Sequence, residues 1–157
     1  MLALPQTAEY ALRAVSYIAE HEARGPVPLP TVAAALGAPR NYLSKTLYQL
    51  GVLGVLRAER GVKGGYRLGR SPDRLRLIDI VGPFLPPTEY RCVMGHPRCL
   101  DEAPCGAHVR WKHVRGVMQA FFADLTMADL LENNGTAHPD LVGTNRLPYN
   151  ERPPVRR

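Results

Sequence analysis

Cys92, Cys99 and Cys105 fall within fourteen residues of one another, and the chain has no other cysteine. His108 follows three positions after the last of them. Three thiols and an imidazole form a donor set of the kind that zinc and iron–sulfur clusters take. Structural zinc sites are usually opened by a C-x2–4-C knuckle. The C-x6-C-x5-C spacing here contains none, which favours a cluster over structural zinc or bare redox-active thiols. An odd number of closely spaced cysteines also fits metal or redox chemistry better than a disulfide framework. Gly95, Pro97, Pro104 and Gly106 lie among the cysteines, a loop composition able to wrap a metal centre. His96 lies inside the same loop as a further candidate ligand, although loop histidines are more often simply solvated.

The loop must be carried by something, and the charge distribution says what lies ahead of it. The 157 residues carry a formal charge of +6, and the placement of that charge is more telling than its size. From Arg40 to Arg76 nine basic residues face only two acids, Glu59 and Asp73. Clustered cations of this kind release counterions from a phosphate backbone, so a polyanion partner is expected rather than a merely solvated basic face. An apolar fraction of 45% supports a real core. No apolar run approaches the length of a membrane span and no secretory leader is recognisable, so a soluble cytoplasmic protein is expected.

Periodicity supplies the elements. Ala8, Leu12, Val15, Ile18 and Ala19 recur at helical spacing and predict a helix over 7–22, with Glu9 in its first turn. A Pro- and Gly-rich loop follows, then a short helix from Pro30 to Leu36 stopped by Gly37. A third helix runs over 39–50, with Leu43, Leu47 and Leu50 as its buried stripe. Two helices joined by Gly37-Ala38-Pro39 make a helix-turn-helix. The outward face then carries Arg40, Asn41, Ser44, Lys45, Tyr48 and Gln49, groups that reach phosphates and base edges.

Strands are expected over 52–57 and 66–68 around the turn Gly61-Val-Lys-Gly-Gly, with 75–77 available as a short third strand. This basic hairpin places Arg60, Lys63, Gly64, Gly65 and Tyr66 beside the presented helix, and its glycines allow close approach to a groove. A further helix is expected over 78–84. Downstream, Trp111, Val114, Met118, Phe121, Leu125 and Ala128 follow a 3,4,3,4,3 spacing, a seam suited to pairing with a second copy. Thr126 and Asp129 resemble a capping box that opens a last short helix.

The wing segment RGVKGGYRLGR (60–70) closely resembles the signature of the Rrf2 family of bacterial transcription regulators. So do AEYALRAVSYIAE near the start, NYLSKTLYQLGVLG in the third helix, the three cysteines, and the CGAHVRW stretch after the last of them. The resemblance spans roughly residues 2 to 132, with the motifs in the family's order. It implies a homodimeric winged-helix regulator of a double-stranded DNA operator, with an iron–sulfur cluster between the DNA-binding part and the dimerisation helix. Carried across, Cys92, Cys99 and Cys105 match the cluster thiolates. His108 matches the fourth ligand of members that bind [2Fe-2S] with three cysteines and a histidine, which favours that cluster over [4Fe-4S]. In other members the fourth ligand is an acidic residue early in the first helix of the second subunit, and Glu9 occupies that place here. The first cysteine gap is one residue longer than the family's commonest spacing.

The expected architecture is thus mostly α with a small β-hairpin wing: a winged helix-turn-helix domain plus a long dimerisation helix. Residues 1–84 form the winged helix-turn-helix domain and 85–108 the cysteine loop. Residues 109–132 form the dimerisation helix with a short terminal helix, and 133–157 a polar tail expected to be disordered. No constellation for nucleophilic, acid–base or phosphate chemistry stands out, so an enzyme is not expected. The competing readings are a DNA-binding regulator with structural zinc or redox thiols, and a redox protein that never touches DNA.

Overall fold

In the computed structural model, residues 4–85, 92–96 and 99–133 are described. At the centre lies α1 (Gln6–His21), whose Ala8, Ala11, Ala14, Val15 and Ile18 have no exposure to solvent. Three alanines on one face let neighbouring helices approach closely. Packed about it are α2 (Leu29–Leu36), α3 (Arg40–Val52) and α4 (Leu77–Val81). Gly37 ends α2 with φ 62°, in the left-handed region that glycine enters without strain. Its N–H bonds to Ala34 O at 3.3 Å and that of Ala38 to Ala33 O at 3.0 Å, a Schellman cap that turns the chain into α3. Leu43, Leu47 and Leu50 of α3 are fully buried, as their spacing predicts.

The wing consists of β1 (Leu56–Glu59) and β2 (Gly65–Leu68), antiparallel, with Leu56 opposite Leu68 and Glu59 opposite Gly65. The first strand starts later than the expected Val52. Helix α3 continues through Val52, and Val55 N–H then bonds back to Leu50 O at 3.0 Å, so residues 53–55 serve as its cap. The expected third strand is also corrected. The free edge of β2 is taken by Val27, which exchanges two 2.9 Å hydrogen bonds with Tyr66. Residues 75–77 pair instead with 125–127: Leu77 N–H donates to Leu125 O at 2.9 Å and Met127 N–H to Leu75 O at 2.8 Å. The helix expected over 78–84 divides into α4 and a 3₁₀ turn at Gly82–Phe84.

Helix α5 (His108–Asp124) follows the cysteine loop, and α6 (Met127–Asn133) returns to pack on α1. Of the residues of α5 only His108 is buried. Val114, Val117 and Phe121 stand exposed on one side of α5, two of them on the predicted seam and Val117 beside it. Thr126 and Asp129 form a reciprocal capping box. The Thr126 N–H and hydroxyl each donate to Asp129 Oδ2 at 2.7 Å, and Asp129 N–H donates to Thr126 Oγ1 at 3.3 Å. The predicted tail beyond Asn133 lies outside the described residues, as do 86–91 and 97–98.

Met127 has no solvent exposure and carries α6 into the same core as Leu75 and Leu77. Met127→Ala should cost about 2–5 kcal/mol in chemical denaturation, with α6 loosened first in hydrogen exchange. The two donations from Thr126 hold the Asp129 carboxyl below its usual range. A depressed folded-state pKa confers stability that is present above the ordinary carboxylate value and lost as pH falls through the folded one. Asp129→Ala should therefore lower the unfolding midpoint at pH 7, the gap to the parent closing below about pH 4. A gap unchanged with pH would assign the loss to packing instead.

Candidate functional site

Two sites emerge, joined by the 75–77/125–127 bridge. The first is the outer face of α3 with the wing beside it. Arg40, Asn41, Lys45, Tyr48 and Gln49 are exposed, Tyr48 at 72%, while Ser44 is half-buried. Ser44, Lys45, Tyr48 and Gln49 line a shallow groove of about 550 Å³ with Val52. The basic residues divide into two groups. Arg67 bridges Glu59 at 3.1 Å and donates to Glu22 O at 2.8 Å, and the Glu22 carboxylate accepts Leu68 N–H at 2.7 Å. Arg70 reaches Asp79 at 3.2 Å and Leu53 O at 3.1 Å. These two hold the wing in place. Among the described residues Arg40, Lys45, Arg60 and Lys63 make no ion pair and are available to an outside anion.

The wing glycines have a structural reason of their own. A Cβ on Gly64 would lie 2.4 Å from Glu59 O, and one on Gly65 2.5 Å from Val27 O. Backbone, which cannot yield as a side chain would, closes both positions. Tyr66 is half-buried against the core, and burial pushes its phenol pKa up.

The second site is a cavity of about 380 Å³ lined by Cys92, Cys99, Cys105 and His108, with His96 and Leu100 on its rim. Cys92 Sγ lies 3.9 Å from Cys105 Sγ and within interaction range of Cys99. Cys99 Sγ lies 3.2 Å from His108 Nδ1. The donors thus run around the cavity in the order Cys105, Cys92, Cys99, His108. Among the described residues no three Cys, His, Asp or Glu side chains converge on one ion-sized point. His108 N–H bonds to Cys105 O at 2.9 Å, so α5 begins immediately behind the last thiol.

The backbone N–H of Met94, and then that of His96, hold the Cys92 thiol below its usual range. Partial removal from water pushes Cys99 up, against the opposing charge of Arg115. Glu9, the other candidate fourth ligand, is exposed on α1, pairs with Arg13 at 3.5 Å, and is not among the residues lining the cavity.

A sequence profile of the Rrf2 family, described as an iron-dependent transcriptional regulator, matches residues 4–133. The chain belongs to the Rrf2 family. A protein of Aquifex aeolicus (strain VF5) named as an HTH-type transcriptional regulator is 31% identical over 128 residues, covering 80% of this chain and 88% of that protein. The HTH-type transcriptional regulator IscR of Aliivibrio salmonicida (strain LFI1238) is 26% identical over 131 residues, covering 83% of this chain and 78% of IscR. Two solved structures share the fold. T. potens IscR has a TM-score of 0.67 at 23% identity, covering 84% of this chain and 88% of its own. CymR, the global cysteine regulator of B. subtilis, has a TM-score of 0.72 at 24% identity, covering 84% and 98%.

This Rrf2 chain is therefore a DNA-binding transcriptional regulator with a winged-helix fold, and its relatives are named as regulators rather than enzymes. No helix among its described residues is long and apolar enough to cross a membrane.

Two residues of the second site escaped sequence reading. Asp101 Oδ1 lies 2.7 Å from His108 Nε2, and Lys112 Nζ donates to both Asp101 oxygens at 3.0 and 2.9 Å. The available signal was weak: a carboxylate in the second cysteine gap, and a lysine four residues after the histidine.

The division of the cations makes a direct prediction for duplex binding. Lys63→Ala or Arg60→Ala should lower affinity on any sequence and flatten the salt dependence, by about 0.9 in log–log slope per lost phosphate contact. Asn41→Ala should leave that slope alone and relax preference at particular base pairs. Fluorescence anisotropy across a salt series separates the two behaviours, and wing variants with the parent's slope would remove the wing from the interface.

Proposed function

We propose that this regulator acts as a cytoplasmic homodimer whose operator affinity is controlled by an iron–sulfur cluster, [2Fe-2S] in preference to [4Fe-4S], held by Cys92, Cys99, Cys105 and His108. The observation that carries this reading is the cavity whose rim brings three thiols and one imidazole together at the start of α5. The donor set fits the group. Thiolates on one tetrahedral metal sit roughly 3.8 Å apart, given metal–sulfur bonds of about 2.3 Å. The 3.9 Å Cys92–Cys105 separation matches such a pair, and Cys99 and His108 stand beside them on the same rim. Three thiols and one imidazole are also the donor set that the Rrf2 resemblance associates with [2Fe-2S].

When bound, the cluster cross-links loop and helix through bonds that oxidation, nitric oxide or iron shortage can break. The chain supplies the rest. Cys105 and His108 fix the near end of α5, and the far end is stitched to residues 75–77, between wing and α4. A change at the cavity therefore bears on the part that carries α3. Val114, Val117 and Phe121 offer the apolar stripe for a second copy, which would bring two α3 helices to successive half-sites. Arg40, Asn41, Ser44, Lys45 and Tyr48 would read the groove, while Arg60 and Lys63 on the Gly64-Gly65-Tyr66 turn would grip the phosphates.

Protein purified without oxygen should be coloured, with broad sulfur-to-iron absorption and equal amounts of iron and sulfide. Cys99→Ser should abolish both. An operator titration should give different affinities for the loaded and cluster-free protein. Colourless protein with stoichiometric zinc would replace the cluster with a structural ion, and equal operator affinities would remove the sensing role.

A further inference from the structure

The cavity wall holds an arrangement that goes beyond the ligands themselves. His108 is 6% exposed, and both of its ring nitrogens are engaged. A carboxylate can only accept, so the 2.7 Å contact with Asp101 Oδ1 puts the ring proton on Nε2. A ring protonated there alone presents its Nδ1 lone pair toward Cys99 and the cavity, the tautomer that metal ligation through Nδ1 requires. Asp101 is itself exposed and would otherwise swing between rotamers in water. Lys112, one turn along α5 from His108, donates to both of its oxygens and removes that freedom. The carboxylate comes from the loop between the second and third cysteines, while the histidine and lysine come from one side of α5.

We propose that Asp101, clamped by Lys112, is a positioning residue that fixes His108 as the fourth ligand with Nδ1 toward the cavity. The inference rests on the cluster reading above and deepens it, since it selects His108 over Glu9 of the partner subunit. It also gives the exposed loop carboxylate beside the cysteines a structural reason. Lys112 balances its charge, and the His108 N–H gives it a second donor. Outer partners of metal-bound histidines hold ring and tautomer in this way, and their loss typically costs about 10- to 100-fold in metal affinity.

The test compares the parent with Asp101→Ala, Lys112→Met and the conservative Asp101→Glu, each first shown to keep the parent's unfolding midpoint. In metal-free reduced protein, nitrogen-15 NMR of His108 should show the Nε2–H tautomer in the parent and in Asp101→Glu, and a mixture in Asp101→Ala. In protein loaded with iron and sulfide and then reduced, pulsed EPR should show coupling to one histidine nitrogen. That coupling should be altered in Asp101→Ala and abolished in His108→Ala. The rate of cluster loss to a chelator should rise about tenfold or more in Asp101→Ala, less in Lys112→Met, and recover in Asp101→Glu.

An Asp101→Ala protein with the parent's tautomer, nitrogen coupling and loss rate would overturn the inference. So would nitrogen coupling that survives His108→Ala. A parent that takes up no iron or sulfide would bring down the cluster reading and with it the ligand role. The tautomer of the metal-free chain separates that failure from a failure of Asp101.

Discussion

The structure depends on a two-rung backbone bridge, Leu77 to Leu125 and Met127 to Leu75. The cysteine cavity and the face of α3 with the wing are built from separate stretches of chain, and only His108 of α5 is fully buried. What fixes its far end is this short antiparallel pairing, with Met127 and Leu75 sunk beside it in the common core. The capping box at Thr126 and Asp129 then turns the chain sharply back into α6 and onto α1. Helix α5 also leans on α4, and the bridge adds a second hold at its far end. With it, α5 is held at both ends, and its direction becomes a property of the whole fold.

The same economy of contacts shapes the wing. A two-stranded hairpin is marginal on its own, and here it is braced on three sides. Val27 completes the sheet, the Glu22 carboxylate and carbonyl receive Leu68 and Arg67, and Arg70 ties the base to α4 and the end of α3. Surface ion pairs contribute little individually, about 0–1 kcal/mol, so their value here is geometric. They hold the hairpin at one angle to α3 while leaving Arg60 and Lys63 at its tip unpaired. Excess positive charge at a rigid tip can settle on phosphate with little further ordering.

Much of this was legible in the sequence because it follows short-range rules. Alanine and leucine periodicity gave α1 and the buried side of α3, Gly37 gave the turn between α2 and α3, and Thr126 with Asp129 gave the start of α6. The cysteine loop was legible from composition and spacing. What stayed hidden was long-range. Val27 reads as part of a Pro-rich loop because nothing local marks it as the neighbour of Tyr66. Residues 75–77 read as a short strand, but only Arg76 forms an isolated bridge, Leu77 already opens α4, and the bridge partner Thr126 lies fifty residues away. Asp101 was passed over because an exposed loop carboxylate is ordinary until the fold brings His108 and Lys112 to it.

Whether such a thin bridge could transmit a signal is a question of magnitude. A hundredfold change in operator affinity requires about 2.7 kcal/mol of difference between two states, since each tenfold step is about 1.4 kcal/mol. A dimer would divide that between two chains, or roughly 1.4 kcal/mol each. Two backbone hydrogen bonds contribute about 1–3 kcal/mol net, and burial of a methionine side chain adds about 1.5–3 kcal/mol. The link is thus stronger than the load it would carry, so tilting α5 is less costly than tearing it from the core. Most of α5 is exposed, and what holds it is its packing on α4 and this bridge at its far end. On the proposed reading, releasing the Cys105–His108 end would reorient α5 about the bridge as a lever, with the winged helix itself remaining folded.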